Sequence, residues 1–240
     1  MMLFYTSQLK DFNIAATDGE LGKIKDLYVD EQNWSIRYVS LDTRKWLPGK
    51  RVLLSPSSFD RTNKKEQTLE VKYDKQTVRN SPDVSENSQL SRETKQRLDE
   101  YYGWGPNLSD PVMFGGGQIA TINLIQPPES YTTTPIPDPD ETEQDLRSED
   151  EVVGFRVHAN DGKLGQVADF IYDDKHWEIL YIVVESRDST LNPKYYAYST
   201  NKIESADWHE GDLYMKEPLT ILEKEKLYKD KEDIIGSLSV

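Results

Sequence analysis

Cysteine is missing from all 240 residues, histidine occurs three times, and the longest apolar run is the short Ile179–Val184 segment. Without thiols the chain has no disulfide, no thiolate metal site and no cysteine nucleophile. A run of that length falls far short of the roughly 20 apolar residues of a membrane-spanning helix, so no membrane span is expected. The first ten residues, "MMLFYTSQLK", carry neither a basic start nor an apolar core of about 7–15 residues. No secretory signal is therefore expected, and a cytoplasmic location is the default. Positive charge is scarce too, with 29 Lys and Arg against 43 Asp and Glu and a net charge of −14. Such a chain repels phosphate backbones and anionic lipid, so no nucleic-acid partner is expected.

The deficit is uneven. Residues 1–82 carry 14 cations against 11 anions, residues 83–150 carry 4 against 14, and residues 151–240 carry 11 against 18. Hydrophobic residues make up 36% and mean hydropathy is −0.75, which suits two small cores and a polar connector better than one large globule.

What is present is a duplication. "AATDGELGKIKDLYVDEQNWSIRYVSLD" (15–42) aligns with "HANDGKLGQVADFIYDDKHWEILYIVVE" (158–185). Asp18, Gly19 and Gly22 meet Asp161, Gly162 and Gly165. Asp26 and Asp30 meet Asp169 and Asp173, and Trp34 meets Trp177. Asp-Gly after an apolar segment marks a hairpin, and a second glycine inside a strand pattern marks a bulge or a close backbone approach. Trp34, Ile36 and Tyr38 alternate with polar residues, as in a strand with one buried face. "WEILYIVVE" is apolar on both faces and is expected to be covered on both. Further strands are expected at "RVLLSP", "TLEVKY", "YYAYST" and "DLYMKE". Five or six short strands per copy predict a mainly β protein of two small antiparallel barrels in tandem. The boundaries expected are 1–82, a connector over 83–149, and 150–240. Within the connector, Ser91 as N-cap and Gly103 as terminator predict a helix over 91–102. The stretch around 125–148 reads as a flexible acidic, proline-rich linker, "QIATINLI" (118–125) as an apolar island, and Ile221–Ile235 as a solvated C-terminal helix.

The segment from "ATDGELGKIKDLYV" through "WLPGKRVLLSP", followed by "NSP" at 80–82 and "YYGW" at 101–104, resembles the PRC-barrel family. That family takes its name from the cytoplasmic domain of the photosynthetic reaction centre H subunit, and a bacterial ribosome maturation factor shares the fold. The second copy resembles the same barrel, as in tandem bacterial members. The resemblance implies binding and assembly, not catalysis, and through the H subunit it implies an alternative: an accessory protein that binds a ligand or cofactor in electron transfer.

The residues supply little chemistry of their own. His158, His176 and His209 form no metal-binding spacing. The repeated aspartates lack the offsets of a calcium loop, and the glycines lack the strand and helix of a phosphate loop. Asp18, Gly19, Gly22, Trp34, Asp161, Gly162, Gly165 and Trp177 are read as fold-forming. The candidate interaction surface is "RKWLPGKR": Arg44, Lys45, Trp46, Leu47, Lys50 and Arg51, four cations around an aromatic on an acidic protein. The expectation is a non-enzymatic interaction module without cofactor or metal. Its association would run to a protein partner, between the barrels, or as a homodimer.

Overall fold

A computed structural model of the chain describes residues 2–44, 47–48, 50–84, 90–104, 146–187 and 193–238. Residues 105–145 of the expected connector, with the apolar island, lie outside the described residues, whereas 146–148, expected as linker, form a strand. The first half contains β1 (Leu3–Tyr5), α1 (Thr6–Lys10), β2 (Asn13–Ala16), β3 (Gly19–Asp30), β4 (Ile36–Leu41), β5 (Val52–Leu54), β6 (Phe59–Asn63), β7 (Thr68–Val71), α2 (Lys75–Arg79) and α3 (Arg92–Tyr102). The second half repeats the order with β8 (Leu146–Ser148), α4 (Glu149–Val152), β9 (Arg156–Ala159), β10 (Gly162–Asp173), β11 (Glu178–Ser186), β12 (Tyr195–Ser199), β13 (Ile203–Asp207), β14 (Asp212–Met215), α5 (Leu219–Leu222) and α6 (Glu232–Leu238).

The strands form two seven-stranded sheets. One runs β5-β4-β3-β2-β7-β6 with β8 added to β3; the other runs β12-β11-β10-β9-β14-β13 with β1 added to β10. The hairpins fall where the Asp-Gly pairs and polar turns place them. Three features depart from the sequence expectation. Among the described residues the ladders leave β5 and β6, and likewise β12 and β13, as unjoined ends, so hydrogen bonding there does not close either sheet into a barrel. Nor are the sheets purely antiparallel, because β2–β7 and β9–β14 run parallel.

The third departure decides the architecture. β1, at the start of the chain, pairs with β10 in the register Leu3–Asp173, Phe4–Tyr172 and Tyr5–Ile171. β8 pairs with β3 in the register Leu146–Asp30, Arg147–Val29 and Ser148–Tyr28. Each residue in the second set is the repeat equivalent of one in the first, so the exchange is reciprocal and relates the halves by a pseudo-two-fold. Neither sheet is built from one contiguous segment. The buried apolar side chains follow suit: one cluster runs without a break from Phe4 and Leu27 through Phe170, Ile182 and Leu222. In place of two beads on a linker, the described residues form one body with a seam.

Close approaches explain two repeat glycines. A Cβ on Gly22 (φ +127°) would lie 2.8 Å from the Asp42 carbonyl oxygen, and one on Gly165 only 1.9 Å from that of Glu185. At both positions the ladder shifts register by a bulge.

The terminal elements cover what the strands leave open. α3 starts at Ser91, whose hydroxyl accepts from Thr94 N–H, and ends at Gly103 in the left-handed region (φ 66°), as its sequence predicts. Its Leu98 and Tyr102, with Trp104, are buried in the main cluster. The C-terminal tail differs from the single solvated helix expected. Two short helices flank a segment that bridges β12 through Tyr195 and Tyr228. Tyr228 and Ile234 then bury Leu3, Tyr5, Ile171 and Val183 on the outer face of the second sheet. This is the second cover that the two-sided apolar pattern of β11 requires.

Two outcomes test this architecture. An engineered protease site within residues 126–140, once cut, should leave both halves co-eluting on native size exclusion, whereas separately folded beads would part. Gly165→Ala should lower the unfolding free energy by about 3 kcal/mol in urea titration, while Gly236→Ala, helical with nothing within 4 Å, should be neutral or stabilising.

Candidate functional site: the seam between the halves

Asp26 and Asp169 sit just past equivalent bulges in β3 and β10, and both are buried. Each first satisfies its own bulge, the Asp26 carboxylate accepting from Leu27 N–H at 2.7 Å and that of Asp169 from Phe170 N–H at 2.9 Å. Each then reaches the other half. Asp26 accepts from Ser148 Oγ at 2.7 Å and from Asp150 N–H at 3.4 Å. Asp169 accepts from Ser7 Oγ at 2.6 Å, Ser7 N–H at 3.3 Å and Thr6 Oγ1 at 3.1 Å. The repeated carboxylates therefore fasten the first turn of the helix that follows the exchanged strand. The two fastenings meet where the Thr6 hydroxyl also lies 2.7 Å from Glu149 Oε1, since Thr6 and Glu149 are repeat equivalents.

Asp26, Glu149 and Asp150 bring one carboxylate oxygen each within 4.8 Å of one another. Lys10 forms ion pairs with Glu149 and Asp150, so a side chain supplies positive charge to this cluster. Burial raises the pKa of Asp26, opposed by the Ser148 hydrogen bond, and burial raises that of Glu149 against the attraction of Lys10. Around Asp169 the equivalents are hydroxyls, Thr6 and Ser7, and the cation is Lys231, at 3.3 Å. Each matched carboxylate thus serves a fastening with its own cation, Lys10 or Lys231, and the two are linked through the Thr6 hydroxyl.

The polar turns carry the second set of seam contacts. Asp30 accepts from Gln32 and Asn33 N–H, and Arg37 donates to its other oxygen at 3.0 Å. In the second half His176 pairs with Asp173, the equivalent carboxylate. The tryptophans after these turns are not strand residues, as their alternation suggested. Trp34 (φ 59°) and Trp177 (φ 57°) occupy the left-handed region, which costs a bulky side chain about 1–2 kcal/mol. The turned carbonyls are used across the seam: Ile179 N–H donates to Trp34 O at 2.9 Å, and Ile36 N–H to Trp177 O at 2.7 Å. Asp18 and Asp161 accept instead from distant helix starts, at Lys75 N–H and Leu219 N–H, both at 2.8 Å.

Beside each turn lies a cleft. One, of about 400 Å³, is lined by Trp34, Glu31, Glu178 and the end strand β13. Its twin, of about 390 Å³, is lined by Trp177, Lys175, His176 and the end strand β6. Sequence reasoning missed both, because each is made by a turn of one half facing a strand of the other.

Leu47, Lys50 and Arg51 turn inward more than the composition of their segment suggests. Arg51 is buried, donates to Tyr28 Oη at 2.7 Å and stacks over that ring. Lys50 donates to the carbonyls of Arg79 and Ser81, and Leu47 packs against the core. Arg44 is exposed and holds the Asp42 carboxyl down at about 2 through its hydrogen bonds. Lys45 and Trp46 lie outside the described residues. Of the histidines, His158 sits 2.8 Å from Asp212, which also binds Arg156, and His209 is exposed in a turn.

Residues 1–78 match the PRC-barrel domain model. The match includes β1, which lies in the other half's sheet, and excludes β8, which completes its own. No curated protein matches the chain. Among the described residues, no helix is long and apolar enough to cross a membrane.

The raised pKa of Asp26 gives a signed expectation. Its folded pKa exceeds the unfolded one, so on rising pH the unfolded chain releases this proton first, and stability falls until the folded pKa is passed. Asp26→Asn, which keeps an acceptor for Ser148, should therefore gain on wild type as pH rises from about 4 to 7, read by denaturant titration. Asp169→Ala, which leaves Ser7 and Lys231 without their carboxylate, should cost about 3 kcal/mol.

Proposed function

We propose that the chain is a non-enzymatic interaction module acting in solution in the cytoplasm, built of two PRC-type units fused through their exchanged strands. The observation that carries this reading is the pair of clefts, of nearly equal size and framed by equivalent elements. The residues the repeats share shape backbone or fasten the seam. Beside the shared Trp34 and Trp177 the cleft linings differ: Gln32, Asn33, Glu204 and Ser205 in one stand where Lys175, His176, Asp60 and Arg61 stand in the other. A constant frame with two divergent openings suits a protein that holds different partners at its two ends. Exposed Arg44 adds a cation to the surface of the first half, and the charge contrast between halves would orient what binds.

Cross-linking of the full chain in native lysate, followed by mass spectrometry, tests this. Lys175 and Lys216, which line the two clefts, should link to other proteins or a second copy, and the Arg61→Glu/Glu204→Arg double variant should lose those links. Links confined within one monomer, in wild type and variant alike, would overturn the reading.

A further inference from the structure

We infer that the cleft beside β13 takes an extended segment of a basic protein partner as an added strand. This rests on the module reading and names the partner's chemistry. In a strand, successive side chains point to opposite faces, so a cavity over one face touches alternate residues. This cleft is lined by Ile203, Glu204, Ser205 and Ala206; the ladder to β14 shifts by a bulge at Glu204, but Ser205 and Ala206 beyond it follow one another in regular register. It therefore reaches the edge of β13, the end strand of its sheet, which among the described residues has a ladder to β14 alone. Four residues of extended chain run about 13 Å, and an edge offers backbone groups to any strand that can reach it. The opposite wall is the Trp34 turn, held rigid by its bonds to Asp30 and Ile179.

Charge selects the occupant. Glu178 and Glu204 are exposed and make no ion pair among the described residues, while Lys216 donates to the Asn201 carbonyl at 2.8 Å. Glu31 on the turn already pairs with Arg147. The surrounding half carries 18 anions against 11 cations, so the long-range field draws the same sign of charge as the cleft. The twin cleft presents the edge of β6 in the same way, with Phe59, Asp60, Arg61 and Thr62 in succession, but mixes Arg61 and Lys175 with its acids. Geometry alone would treat the two edges alike; the acidic one should prefer Lys- and Arg-bearing segments.

The probe is a short peptide alternating Lys and Val, added to the full chain and followed by amide hydrogen exchange. Exchange over 203–206 should slow by about tenfold or more and over 59–62 by less. The effect should weaken in high salt and with Glu178→Gln/Glu204→Gln, variants that leave the fold contacts in place. A Glu-Val peptide, and a Lys-Val peptide N-methylated at alternate residues, should give no protection. Equal protection by the Glu-Val or methylated peptide, or none at 203–206, would overturn the inference. Should that happen while the lysine cross-links persist, the module reading survives; loss of the cross-links with β13 still protected would overturn the module reading alone.

Discussion

Two short antiparallel ladders, β1 on β10 and β8 on β3, determine what kind of object this protein is. Each places three residues of one half in the sheet of the other, and each leads into a helical turn fastened by a buried carboxylate. A three-residue ladder is worth little by itself. It gains from Asp26 and Asp169, which would otherwise be uncompensated buried acids. Each carboxylate follows a bulge of its own in the ladder to β4 or β11, while Gly22 and Gly165 sit at an earlier bulge, where a side chain would strike a carbonyl. Bulge, carboxylate and exchanged strand thus form one dependent sequence, present twice. Its two copies interlock, so the core is continuous across the seam.

Much of the fold was legible in the residues. Asp-Gly pairs, alternating apolar strands, the Ser91 cap and the Gly103 stop are local signals, and local geometry obeys them. The apolar two-sidedness of "WEILYIVVE" also foretold a second cover, though not that the C-terminal tail would supply it. Illegible were the relations between halves. "LRS" at β8 has no strand pattern, since its pairing comes from the partner edge and not from its own side chains. The left-handed tryptophans mimic strand residues because both are followed by alternation. The parallel β2–β7 and β9–β14 pairings join segments more than fifty residues apart, beyond any turn signal.

The candidate site was read less well, for a related reason. The basic loop looked like a surface because it concentrates charge, yet Arg51 spends its guanidinium on Tyr28 and Lys50 closes the end of α2. Composition counts charges without knowing which carbonyls await them. The clefts could not be foreseen at all. Their walls are a turn from one half and an edge strand from the other, and the divergence between copies that distinguishes them looks, in one dimension, like drift.

One asymmetry within the symmetry has a further consequence. In the first half Lys64 lies 4.5 Å from the ring of Phe4, while in the second Arg147 lies 4.8 Å from the ring of Trp208. Phe4 and Arg147 are repeat equivalents on the exchanged strands, so cation and ring have traded places. Grafting "LRS" at the amino terminus would set a guanidinium against Lys64, and grafting "LFY" before α4 would set ring against ring. The two short strands therefore carry distinct addresses, and a chain that docked them the wrong way round would meet repulsion at one end of the seam.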